Sequence, residues 1–388
     1  MKIASMPFFD NHTHPLDADK VDLTPDALAL IWLHGFRDLP GGKVSEKFNH
    51  HVHNQGCVYT MVYQLSKLFG CENTLEAVTA ERNRRTAQGA APYAQLLYKD
   101  GGIACSLLDS DYPYGDERLS LFPGILLRHI QMDPLFFDLL KDAADYASML
   151  EQYKLRIRMM VADQGYVSIK SHIGELFTTC VRYVPEEEAT AAFVSARQGN
   201  KQAQRTLYYA VFHQTMLLAQ DLNIPIHIHT GMTGGFWDGE MDDADPYRMA
   251  PFLRNTPHMQ QTTLVLLHSN YPFMSSAALV AHTFPHVWVD LAWVLPWVSL
   301  SFTQCIEDLI GIAPVSKILL GSGQHNIPEI AWLSSKVAKS ALQYVTDKLV
   351  AQEMLSQEQG NELAAMLLYK NALRLYGVAE DRFVNALG

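Results

Sequence analysis

Eight short apolar runs, most of them closing on a polar residue, recur along this chain between longer segments of helical character. They are Phe8 to His12, Ile103 to Leu108, Gly124-Ile-Leu-Leu-Arg128, Val167-Ser-Ile-Lys170, Pro225-Ile-His-Ile-His229, Leu264-Val-Leu-Leu-His268, Val287-Trp-Val-Asp290 and Lys317-Ile-Leu-Leu-Gly-Ser322. Runs this short, bounded by Gly, Pro or polar residues, read as buried parallel strands in repeated βα units. Eight of them predict an α/β fold, a (β/α)₈ TIM barrel with its active site at the C-terminal ends of the strands. The polar residues that close the runs would then meet in one cavity.

Such a barrel needs about 250 residues, so a chain of 388 has room for one barrel and additions. We read residues 1–388 as a single barrel with a helical insertion after strand one, over about 16–95. Leu28-Ala-Leu-Ile-Trp-Leu33 and Val58 to Leu68 there carry helix-compatible apolar spacing. The insertion is placed to cover the mouth of the barrel. A second long helical segment, Glu186 to Asn223, separates strands four and five, and Glu353 to Tyr376 reads as helices stopped at Gly377.

A net charge of −11 without a Lys/Arg cluster argues against a nucleic-acid surface. No apolar span reaches membrane length, and Met1-Lys-Ile-Ala-Ser-Met-Pro7 lacks an apolar signal core. The five cysteines, Cys57, Cys71, Cys105, Cys180 and Cys305, are scattered and odd in number. They fit reduced thiols of a cytoplasmic protein better than a disulfide framework. The expected partner is a small-molecule substrate, and a homo-oligomer is left open.

His12-Thr-His14 follows Phe8-Phe9 and Asp10. Residues i and i+2 of a strand share a face, so the two imidazoles can converge on one ion. A second pair, His51-Val-His53, sits in the polar stretch Lys47 to Asn54 with no apolar run to bury it, and reads as surface.

His12-Thr-His14 on strand one, His229 in Ile-His-Thr-Gly and His268 in Leu-Leu-His-Ser-Asn-Tyr-Pro together resemble the amidohydrolase superfamily. The resemblance is to its amidohydrolase-related (type 2) branch, in the group that includes the amidohydrolase-like half of FluG. Further matches are Arg128, Ile169-Lys170-Ser171, Tyr271-Pro272, Asp290, Ile327-Pro328-Glu329 and Asn371-Ala-Leu-Arg-Leu-Tyr376, so it runs from about residue 8 to 377. It implies one divalent metal ion, expected to be Zn²⁺, held by His12, His14 and His229. It also places His268 beside the ion, to shuttle a proton or stabilise a developing oxyanion. A hydrogen-bonded core histidine is the plain alternative for His268. His227, two residues before His229, is left to packing or to support of a ligand.

Arg128 offers a planar fork for a substrate carboxylate, or else closes an ion pair inside the barrel. Lys170 lies in an apolar strand and needs a carboxylate partner, a substrate or carbamylation; we read it as a charged contact at the catalytic site. Asp290 is a substrate-site candidate, which could equally pair with Lys170 or hold a ligand histidine. The type 2 branch normally presents an aspartate after strand eight, where it binds metal and accepts a proton. Here the run is Gly321-Ser322-Gly323-Gln324-His325, with Gly323 at that position. Either His325 takes over, with a place in the substrate site, or the substrate completes the centre, or hydrolysis has been lost.

The resulting expectation is a metal-dependent hydrolase of a C–N, amide-type bond in a small carboxylated substrate. A metal-dependent non-oxidative decarboxylase and a ligand-binding protein without turnover are the alternatives.

Overall fold

The computed structural model describes residues 2–33, 45–232 and 240–387. Nine strands pair in parallel: β1 (Phe8–Leu16), β2 (Ile103–Leu108), β3 (Ile125–Gln131), β4 (Ser168–Ser171), β5 (Ile226–His229), β6 (Leu264–Leu267), β7 (Val287–Asp290), β8 (Ile318–Leu319) and β9 (Gln324–Asn326). Their order is β8-β7-β6-β5-β4-β3-β2-β1-β9. β8 falls within the expected eighth run, Lys317 to Ser322, and β9 lies beyond it, the two separated by 320–323. β8 pairs with β7, and β9 pairs with β1. Between them Asn11 N–H donates to Leu320 O at 3.1 Å and Gly323 N–H to His12 O at 2.8 Å, which closes the ring as a TIM-barrel-like fold.

The strands are apolar runs because both of their faces are covered. All six residues of β2 and all four of β4, β5 and β6 are buried. β3 continues to Gln131, three residues beyond the expected end. Outside the ring, Glu186–Arg197 and Lys201–Leu222 form the expected helices between β4 and β5. The last helices stop at Gly377, whose φ of 65° suits a residue without Cβ.

Within the expected insertion the chain forms helices Pro25–Ile31, Asn49–His53, Gly56–Phe69, Leu75–Thr86 and Ala90–Gly101. Residues 34–44 of it lie outside the described residues. Thr24 starts the first of these helices, its side chain accepting from Ala27 N–H ahead of Pro25 at the first turn. Trp297, just beyond β7, donates from Nε1 to Trp32 O at 2.8 Å, and Thr60 meets Ser299 at 3.1 Å. The insertion therefore packs on the segment that leaves the C-terminal end of β7, at the mouth. His51 and His53 lie on a short surface helix, where His53 Nε2 meets Asp26 Oδ1 at 2.7 Å.

Among the described residues no helix is long and apolar enough to cross a membrane. The five cysteines are unpaired.

Candidate metal centre

Pleat alternation gathers histidines along the inside of the ring. His12 Nδ1 lies 3.4 Å from His129 Nε2, whose own Nδ1 meets Ser168 Oγ at 2.7 Å. The His129 and His227 rings are 4.5 Å apart, and Tyr376 OH reaches His227 Nε2 at 2.9 Å from the end of the chain. His12, His129, Ser168, Lys170, His227 and His229 thus belong to one inward-facing set, spaced by two along each strand.

Two clusters of ligand atoms emerge from this set. In the first, His12, His14 and Asp109 bring their ligand atoms within 4.8 Å of one another. Asp109 follows directly on β2, and its Oδ1 accepts from Gln131 Nε2 at 2.8 Å. Its Oδ2 is buried without a hydrogen-bond partner among the described residues, and so is His12 Nε2. Lys170 Nζ stands 3.9 Å from Asp109 Oδ2. The His325 ring stacks on His14 at 3.9 Å and 11°.

In the second cluster, His172, Glu175 and His229 lie equally close, within 4.8 Å. His229 Nε2 is 3.4 Å from Glu175 Oε1 and 2.9 Å from Met232 O. The His268 ring stands between the clusters, 4.5 Å from His229 and 5.8 Å from His12. Its Nδ1 meets Ala292 O at 2.8 Å, which places the proton on Nδ1 and makes Nε2 the acceptor nitrogen. His268, Ser269 and Asn270 all adopt positive φ, at 65°, 47° and 57°. Such backbone costs about 1–3 kcal/mol per residue and persists only where the surroundings hold it. Here Ser269 Oγ donates to Asp290 O and Thr230 Oγ1 accepts from Asn270 N–H.

Burial holds His12 and His129 well below the usual imidazole range; Lys170 adds to this for His12, and His227 for His129. Neutral imidazoles with open lone pairs are the form a divalent ion binds. Burial also lowers the Lys170 ammonium, against the opposing pull of Asp109.

His229, expected to hold the ion with His12 and His14, instead brings its ligand atom to those of His172 and Glu175, and three further expectations change here. Arg128 lies one residue from inward-facing His129, and the pleat turns it to the outside of the ring. Its guanidinium covers the Tyr166 ring at 4.6 Å and donates to Tyr112 O, so it is neither a clamp in the barrel nor an internal ion pair. Asp290 is fully buried, with Oδ1 accepting from Ala292 N–H at 2.6 Å and Oδ2 from Asn11 Nδ2 at 2.8 Å. Both oxygens are occupied by the framework rather than presented to a substrate. Burial pushes this carboxyl up to about 7. Gly323 has φ of 60°, and a Cβ there would stand 2.6 Å from Trp293 N and 2.8 Å from its Cα. It is a close backbone crossing with no room for an aspartate; the carboxylate of the first cluster is Asp109.

Asp109, His129, His172 and Glu175 were not singled out from sequence. Asp109 carried the same signal as the others, a polar residue directly after an apolar run. His129 was hidden because the expected strand three ended at Arg128, the residue before it. His172 and Glu175 lie beyond β4, where strand periodicity no longer tells which way a side chain points.

The sequence profile of the amidohydrolase family (Amidohydro_2) matches residues 157–378, more than half of the chain. The chain belongs to this family. Protein FluG of Emericella nidulans is 31% identical to this amidohydrolase over 160 residues, 41% of the chain and 18% of FluG. The chain thus spans under a fifth of the curated relative it matches. A crystal structure from Lactobacillus casei ATCC 334, assigned as a metal-dependent hydrolase, superposes with a TM-score of 0.82 at 18% identity, over 98% of this chain and 97% of the other. Uronate isomerase of Thermotoga maritima gives 0.72 at 15% identity, over 96% and 95%. Glucuronate isomerase of Caulobacter crescentus gives 0.71 at 16% identity, over 97% and 92%. At these identities the likeness is one of fold, and the amidohydrolase is similar to them in its whole architecture.

Proposed function

We propose that this amidohydrolase cleaves a C–N, amide-type bond in a small carboxylated substrate, with a divalent ion of the Zn²⁺ type held by His12, His14 and Asp109. The observation that supports the metal centre is the pair of buried lone-pair atoms, His12 Nε2 and Asp109 Oδ2, which lie beside His14 without hydrogen-bond partners among the described residues. Buried polar atoms are normally satisfied, so two orphans in one ligand cluster fit an ion. When bound, the ion supplies Lewis acidity toward a carbonyl and acidifies water at the site.

The chain's own groups do the remaining work. His129 Nε2, 3.4 Å from His12 Nδ1, is placed to accept a hydrogen bond from the His12 tautomer protonated at Nδ1, the one that leaves Nε2 for the centre. Gln131 holds Asp109 by Oδ1 and leaves Oδ2 directed at the cluster. His268, with its proton on Nδ1, takes up a proton at Nε2 and returns it to the leaving nitrogen. Lys170 replaces Arg128 as the cation for the substrate carboxylate. Its lowered ammonium is buried on the inner face, beside Asp109.

His12→Ala and Asp109→Asn should each remove most of the metal from the first cluster, read by elemental analysis, while His51→Ala leaves it unchanged. The metal-loaded enzyme should release ammonia or an amine from a panel of γ-glutamyl amides and N-acyl amino acids. Carbon dioxide from aromatic carboxylates, or isomerisation of a uronate, would replace this reading with a different reaction of the same centre. Full metal retention in both variants would remove the site.

A further inference from the structure

Arg128, on the outside of the ring, is a buried cation without an anion. It is 7% exposed; its Nη2 donates to Tyr112 O, and Nε and Nη1 have no hydrogen-bond partner among the described residues. Asp116, whose charge favours the guanidinium, is taken by Arg118 through both oxygens, at 2.8 and 2.6 Å. A charge removed from water is costly unless it is paired. Burial accordingly lowers Arg128 from the usual arginine range.

Tyr112 and Tyr166, the two residues that Arg128 touches, are also walls of a cavity of about 500 Å³. It lies against β3, between helices Met132–Asp142 and Tyr146–Gln164 and beside the segment that follows β2. Gln131 separates it from the first cluster, lining the cavity while its Nε2 holds Asp109. Ser110, on the same wall, is 7% exposed, and its Oγ is buried without a partner among the described residues. Buried hydroxyl and guanidinium groups are normally satisfied, so these orphans point to a ligand that accepts hydrogen bonds. Leu135 and Met160 supply an apolar wall. The other charged residues of the lining, Asp111, Asp138 and Arg156, are exposed, where water and salt screen them.

We propose that this cavity is a second ligand site, apart from the metal centre, which binds a small organic carboxylate through Arg128 and Ser110 Oγ with its apolar body against Leu135 and Met160. The volume lies in the range of about 300–1,000 Å³ usual for small-molecule sites. Tyr112 O now holds one edge of the guanidinium, so entry turns Tyr112 aside and exchanges a neutral carbonyl for an ionised acceptor, the stronger partner. An inorganic anion would pair with the arginine but leave the apolar wall in water.

Calorimetry and thermal melting of the metal-free full chain test the site, with phenylacetate as probe, phenylacetamide as its neutral isostere and inorganic phosphate as an anion without an apolar body. Removing metal keeps the carboxylate from coordinating an ion. Phenylacetate should bind with a Kd of about 5 mM or tighter and raise the melting temperature. Phenylacetamide should bind about 10-fold more weakly or worse, and phosphate should not saturate. Arg128→Met removes an unpaired buried cation, so it should fold and lose the preference for the charged ligand. Leu135→Trp should fill the cavity and abolish binding, and it carries the test if Arg128→Met does not fold. No saturable binding of phenylacetate, equal binding of the amide, or phosphate binding as tightly would each overturn the proposal. Binding kept in Arg128→Met and lost in Lys170→Met would also overturn it, by placing the carboxylate inside the barrel.

Discussion

Any side chain at position 323 would push its Cβ into the backbone of Trp293, in a φ region that residues other than glycine avoid. Gly323→Asp should therefore create no new metal ligand. We expect a loss of about 2–4 kcal/mol of stability from the strain and the displaced crossing, read by urea unfolding, and no gain in metal affinity. A stable Gly323→Asp with tighter metal would mean that Trp293 yields and that the aspartate reaches the centre after all. His286 offers a test away from the histidine clusters. Burial lowers its imidazole to about 4, Lys317 adding to this, and neither ring nitrogen has a hydrogen-bond partner among the described residues. A histidine depressed in the folded state is harmless above its unfolded value near 6.5 and destabilises as pH falls from there through about 4. His286→Leu should remove that loss. The stability difference between variant and wild type should grow in the variant's favour by about 2 kcal/mol between pH 7 and pH 4, and a difference independent of pH would show that His286 is solvated.

Helix Leu75–Thr86 of the insertion is tied to the start of helix Pro328–Ala351 by a fully buried ion pair, Arg82 Nε to Glu329 Oε1 at 2.5 Å. Tyr93 OH donates to the same oxygen at 2.8 Å, and Arg82 Nη2 reaches Lys20 O at 2.7 Å. Removing one partner leaves a desolvated charge, which costs about 3–5 kcal/mol, whereas replacing both by apolar groups is often neutral. Arg82→Met should lower the unfolding midpoint strongly, and Arg82→Met with Glu329→Leu should recover much of the loss; equal losses in the two would show that the helix packing, not the charge, is what matters. This pair was not legible in sequence, since nothing in Glu-Arg-Asn-Arg-Arg marks one arginine as buried. The strands were legible because a parallel strand covered on both faces is written as an unbroken apolar run. Their C-terminal limits were less so. Ending strand three at Arg128 rather than Gln131 made Arg128 the inward residue, and a slip of one position exchanges the faces of a strand. That single step accounts both for the misplaced carboxylate clamp and for the missed His129. Asp290 shows a second limit: its position at a strand end was correct, but only the fold reveals that Asn11 and the Ala292 N–H occupy both of its oxygens.

The first cluster joins β1 to the end of β2, and β1 also pairs with β9, where the ring closes. An ion bound there cross-links residues far apart in sequence that meet only in the folded barrel. The unfolded chain retains His12 and His14 as neighbours but loses Asp109 from their reach. Binding should therefore favour the native state nearly in full, by about 2.7 kcal/mol at a free metal concentration 100-fold above Kd. With an unfolding entropy of about 2.1 cal/mol/K per residue, a cooperative chain of 388 residues should melt roughly 3 °C higher with the site filled. Scanning calorimetry with and without Zn²⁺ measures this directly. Asp109→Asn should reduce the shift, because its amide is a poor ligand while its size is unchanged. Both proteins must be compared from the metal-free state, so that the variant's own loss of stability is separated from its loss of linkage. The same Zn²⁺ shift in wild type and in Asp109→Asn would mean that the ion binds without the carboxylate at the end of β2, and that the orphaned Asp109 Oδ2 serves the Lys170 ammonium alone.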